Sequence, residues 1–337
     1  MPGSHSRDSS SKTKKARFEA QLRGAVVDAA FADSDLALLH LIRDPRILSV
    51  LNEKLELPYA HVAGQTTVDQ AIVRAEERGS DRTILLLLED RRTRGLVTIE
   101  GIDAALCGCS SSTLALLIKH PTSRRLISSE ALNRRLRLES ERDHPDEIML
   151  ILGDSLAASK INREKLNLVM CEAAQHGRVE LLRQVLESHL ADRYGGFDPQ
   201  MVGIALNNTA STEHTDAFDL LLEHPETRDL LARRWVDCAL KASLHNPKNL
   251  KSLLTHEATS GVISTRGAND AISRIADESY HDQIPERILI DSATILLSDE
   301  GIRAMLYPKA LQALRHSRIY YGVRELITAA EKAPASA

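Results

Sequence analysis

The stretch FDLLLEHPETRDLL, residues 218 to 231, returns in variant form along most of this chain. LALLIKHPTSRRLI begins at Leu114, LALLHLIRDPRILS at Leu36, NLKSLLTHEATSGVI at Asn249 and ERILIDSATILLS at Glu286. Each is an apolar run at helical spacing that ends on a polar residue, giving anchors at Asp44, Asp90, His120, Asp154, His189, His224, His256 and Asp291. After the first interval, from 44 to 90, the anchors lie about 30 to 35 residues apart. A period of that length with two helical segments per unit marks stacked repeats, in which each unit buries its apolar face only against its neighbours. The expectation is an all-α fold, an elongated α-solenoid of stacked helix-turn-helix repeats.

Composition agrees with helix. Of 337 residues 43% are hydrophobic but only 3% aromatic, and runs of β-branched residues are scarce. A formal charge of −4 gives no overall attraction to polyphosphate, so nucleic acid is not the default partner. No apolar run reaches the length needed to span a bilayer, and the N-terminus lacks the hydrophobic core of a secretory signal. A cytoplasmic protein is expected. Residues 1–18, rich in Ser and Lys, read as a disordered arm, residues 19–331 as about nine repeat units, and 332–337 as a flexible tail. The alternatives that the arm raises are export into a host cell and nuclear import through Lys12, Lys14, Lys15 and Arg17.

Within one unit, KLNLVMCEAAQHGRVELLRQVLESH reads as two helices. The first carries Leu166, Val169, Met170, Ala173 and Ala174, Gly177 closes it, and the second carries Val179, Leu182, Val185 and Leu186. Gly79 and the segment Asp33 to Asp35 supply the same turn elsewhere. His-Pro after the second helix reads as a stop, with His meeting the last carbonyls. AAQHGRVELLRQVL, residues 173 to 186, is similar to the small-residue first helix, Gly turn and Leu-Leu second helix of the ankyrin repeat family, and by period the resemblance covers about residues 20 to 331. It implies a protein-binding repeat module. The family's Thr-Pro-Leu-His start is absent, replaced by VDQAI, IDAAL, VDCAL and NDAIS, in which Asp complements the helix dipole. Hairpin fingers are therefore not implied, and a two-helix solenoid of the tetratricopeptide or HEAT kind is the structural alternative.

Motifs for chemistry are sparse. Gly153-Asp154-Ser155-Leu156 matches the nucleophile block of the GDSL esterase family and Gly267-Ala268-Asn269-Asp270 its Gly-x-Asn-Asp block, but no Asp-x-x-His follows to activate Ser155. Cys107, Cys109, Cys171 and Cys238 have neither disulfide nor zinc-site spacing, and Asp143 to Glu147 reads as acidic residues before a helix near Ile148. No enzymatic reaction, cofactor, metal or small-molecule substrate is expected. The function expected is protein–protein interaction, as adaptor, scaffold or inhibitor, or as an effector delivered to a host protein. An ester hydrolase and a nucleic-acid binder are the alternatives.

The candidate partner-binding residues are the loop arginines and aromatics. Arg91, Arg92, Arg94, Arg124, Arg125, Arg134, Arg135, Arg233 and Arg234 can line a basic strip suited to an acidic or phosphorylated partner. Tyr194 and Phe197, flanking Gly195-Gly196, join Trp235 and Tyr59 as candidate hot spots.

Overall fold

The computed structural model describes residues 6–51, 66–142, 144–188, 190, 193–281 and 284–332. Among them the chain is all-helical, with no β-strand. It divides into two compact units, Met1–Asn162 and Arg163–Ala337, where the repeat period alone reads as one array.

In the first unit four helices follow a common pattern. Ser6–Phe31, Thr67–Glu77, Ile99–Gly108 and Ser129–Arg142 pack in that order, each against the next. The second helices Asp35–Arg43, Asp81–Glu89, Ser111–Lys119 and Pro145–Gly153 pack in the same order beside them. In the second unit the first helices are Arg163–Gln175, Pro199–Ala210, Arg233–Ala242, Thr265–Glu278 and Pro308–His316. Their partners are Val179–Leu186, Thr215–Glu223, Pro247–Thr255, Glu286–Ser298 and Tyr320–Lys332, again packed serially. The core of each unit lies between these two rows, filled by Leu, Ile, Val and Ala such as Leu87, Leu117 and Ile118 in the first and Leu221, Leu253 and Leu296 in the second. Burial of one apolar stripe per helix holds each row, because short helices of this length are marginal alone.

The turns between paired helices need left-handed backbone at Asp33, Gly79 and Gly177, with φ of 53°, 69° and 66°. These are the three turns that the sequence marks. Asp is one of the few non-glycine residues that visit such backbone, and here its carboxylate is held across the chain by Ser80 and Thr83, which donate to it.

The residues after each second helix differ from the sequence reading. The anchor's backbone N–H donates to a carbonyl of the helix behind it, but its side chain faces forward and caps a further short helix ahead. Nδ1 of His120, His224 and His256 accepts the backbone N–H two residues on, each at 3.3 Å, opening Pro121–Leu126, Pro225–Arg228 and Glu257–Ser260. Asp154 and Asp299 do the same with a carboxylate. Three residues past the anchor a buried hydroxyl, of Thr93, Ser123, Thr227 or Thr259, turns back to the carbonyl of Leu87, Leu117, Leu221 or Leu253 at 2.5 to 2.7 Å. The connection is thus a hydrogen-bonded corner. Asp291 is no anchor: Glu286–Ser298 continues through it, because Ser292, Ala293 and Leu296 keep the buried helical face and Asp299 is the cap. His189 lies outside the described residues.

The N-terminal expectation also changes. Helix is present from Ser6, where an irregular arm is expected, although residues 13 to 18 are exposed and packing begins only at Val26. Good helix formers such as Lys14, Lys15, Ala16 and Arg17 extend the packed segment outward. At the other end Tyr320–Lys332 buries Val323, Ile327 and Ala330 and leaves Tyr321, Arg324 and Glu325 to solvent.

Candidate functional site

Successive first helices are tied by one recurring side chain. Five residues beyond the helix N-cap (98 to 103, 232 to 237, 264 to 269), an Asp or Asn reaches the start of the next first helix. Asp103 accepts the N–H of Ser128 at 2.9 Å, Asn133 that of Asn162 at 3.1 Å and Asn167 that of Asp198 at 3.2 Å. Asp237 takes both the N–H and the hydroxyl of Ser264, and Asn269 the N–H of Tyr307 while donating to Met305 O. Asp69, three residues beyond N-cap Thr66, accepts the N–H and the hydroxyl of Thr98. The Asp of VDQAI, IDAAL and VDCAL therefore holds its neighbour's backbone as well as suiting its own helix end. Asp270 of NDAIS instead lies beside Lys241 and Arg266.

One member of the series is missing. At Gly203 (198 plus five) the position carries no side chain, and the ring of Trp235 occupies the space, so that a Cβ on Gly203 would fall 2.1 Å from Trp235 Cγ. Trp235 is half-buried in the stack, its indole N–H is buried without a hydrogen-bond partner, and the Arg234 guanidinium lies 4.9 Å from its ring centroid.

The expected contact residues fall into three groups. Arg91, Arg92, Arg94, Arg125, Arg233 and Arg234 are exposed, and Tyr194 is half-buried with Arg193 over its ring. Arg124 and Arg134 are already engaged, Arg124 with Asp154 at 3.0 Å and Arg134 with Glu130 at 2.7 Å. Phe197 and Arg135 are corrections. Phe197 is 2% exposed, because the Gly-Gly turn folds it inward rather than presenting it. Arg135 is not in a loop but inside Ser129–Arg142, 3% exposed, where it pairs with buried Glu139 and donates to Leu106 O, Cys107 O and Cys109 O at a neighbouring helix end. Neither can touch a partner. Tyr59 lies outside the described residues. The arginine groups do not share one register: Arg94 and Arg124 follow second helices, Arg134 lies within a first helix, and Arg233 begins one.

Chemistry-bearing side chains are mostly occupied by the scaffold. Asp154, of the GDSL match, caps Ser155–Ala158 and pairs with Arg124, and among the described residues no histidine hydrogen-bonds to Ser155. Asn269 of the second block is spent on Met305 and Tyr307. Burial pushes the thiols of Cys109 and Cys171 up to about 12, which keeps them protonated and unreactive. Glu139, His144 and Glu147 bring possible ligand atoms within 4.8 Å of one another, yet Glu139 pairs with Arg135 and His144, and Glu147 accepts from Ser111. The guanidinium neutralises the carboxylate that a cation would need.

A feature that the sequence reading missed lies on the first helices of the second unit. A cavity of about 570 Å³ is lined by Asn207, Ser211, Cys238, Lys241, Ala242, His245 and Arg274. Its signal in the sequence is an offset: Asn207, Lys241 and Arg274 stand nine, nine and ten residues beyond N-caps Asp198, Ala232 and Ser264. Among the described residues no helix is long and apolar enough to cross a membrane. No family model, curated protein or solved structure matches the chain.

Proposed function

We propose that the chain is an ankyrin-like α-solenoid whose work is to bind another protein, as adaptor, scaffold or inhibitor. The observation that carries this reading is the serial packing of first helices within each unit, several of them held to the next by an Asp or Asn such as Asp103, Asn167 and Asp237. Such a scaffold repeats one helix face at regular spacing while its core and caps take up the other faces, and side chains at equal offsets become a preformed binding surface. Exposed Arg91, Arg92 and Arg94 in the first unit and Arg233 and Arg234 in the second add charge-assisted contacts for an acidic partner.

The test is affinity capture with the whole chain as bait, beside a variant carrying Arg91→Ser, Arg92→Ser, Arg233→Ser and Arg234→Ser. Phe197 is left intact because it is core. A specific protein retained by the parent and weakened at least about tenfold by the variant is the expected result. Capture of nuclease-sensitive nucleic acid alone, or of nothing specific, overturns the reading.

A further inference from the structure

We infer that the groove over the first helices of the second unit is a receptor for an acidic peptide segment. Asn207 and Ser211 come from Pro199–Ala210 and the residue after it, Cys238, Lys241 and Ala242 from Arg233–Ala242, His245 from the turn beyond, and Arg274 from Thr265–Glu278. The groove therefore crosses three successive helices, and its occupant is elongated rather than compact. No carboxylate is among its lining residues.

The acidic groups nearby are paired with these side chains. Glu278 holds Arg274 at 2.6 Å and lies 3.7 Å from His245, and Asp270 lies 3.9 Å from Lys241. These contacts orient the basic side chains without filling them: an ammonium has three donors and a guanidinium five, and the Lys241 pair is long. Asn207, Ser211 and Cys238 make no side-chain hydrogen bond among the described residues. The wall thus offers an amide, a hydroxyl, a thiol and two cations with donors beyond their ion pairs. Carboxylates of Glu or Asp spaced along an extended strand match the cations, and the strand's own amides match Asn207 and Ser211.

This inference rests on the protein-binding reading and names its partner chemistry. Trp235, the chain's one tryptophan, sits on the same helix as Lys241 and reports occupancy by its emission. The experiment titrates the full chain into a fluorescein-labelled hexaglutamate peptide followed by anisotropy, beside a hexaglutamine peptide. Expected are saturable binding of hexaglutamate, a change in Trp235 emission, no binding of hexaglutamine, and at least about tenfold loss in Lys241→Ala/Arg274→Ala that Lys241→Arg avoids. Circular dichroism of each variant checks the fold. Equal binding by the double variant, equal binding of hexaglutamine, no binding up to about 1 mM, or displacement by inorganic phosphate at equal concentration would overturn it. If the peptide fails while the whole chain still captures a protein partner, only the groove assignment falls; if capture fails too, the protein-binding reading falls with it.

Discussion

A histidine that caps a helix through Nδ1 must leave that nitrogen unprotonated, and His224 is placed to favour this. Burial is the largest influence and lowers its pKa from the usual 6.5; Arg183 acts in the same direction, and Glu226 and Glu187 oppose. A base whose folded pKa lies below its unfolded value gives the unfolded chain more bound protons in between, so stability is present above 6.5 and is lost as pH falls below it. His224→Asn keeps a good cap without the titration. Urea midpoints measured from about pH 7 to about pH 5 are expected to fall more steeply for the parent than for the variant. Parallel curves would show that the histidine contributes nothing to the pH dependence. This role is half legible in the sequence. The recurring His or Asp stands out there, but which neighbour its ring faces depends on the extended backbone at φ −70° and ψ 129°, where the chain turns a corner instead of stopping.

At the scale of the helix, two glycines separate propensity from packing. Gly24 lies inside Ser6–Phe31 with nothing within 4 Å of the place a methyl group would take, whereas Gly203 lies inside Pro199–Ala210 against the Trp235 ring. Alanine in a helix interior is favoured over glycine by about 1 kcal/mol, and Gly24→Ala is expected to stabilise by up to that amount. Forcing a methyl into a packed contact costs about 1–3 kcal/mol, which exceeds the propensity gain, so Gly203→Ala is expected to destabilise and to shift Trp235 emission. Thermal melts of the two variants read the opposite signs; a stabilising Gly203→Ala would show that Trp235 can swing away freely. Both glycines look alike in the sequence. Only the adjacent helix tells them apart, and for the same reason the sequence allows Trp235 either as a surface contact or packed into the stack, whereas the structure sets its ring against Gly203.

At the scale of the molecule, the described residues form two compact units, each with its own buried rows of Leu, Ile and Val. Separate cores need not melt together. Trp235 belongs to the second unit alone, whereas helical circular dichroism reports both. Urea unfolding is expected to give non-coincident transitions by the two probes. A single superimposable curve would mean that the units unfold as one.

The sequence by itself determined the helical class and turns such as Gly79 and Gly177, because hydrophobic period and left-handed turn residues act over a few neighbours. Leu182, Val185 and Leu186 are buried as their spacing requires. Burial of Phe197 and Arg135, the Asp and Asn contacts from one first helix to the next, and the groove of Lys241 and Arg274 were decided by tertiary structure. Each of these joins residues about 25 to 40 positions apart, so its outcome is set by what the neighbouring helices present and not by the local pattern.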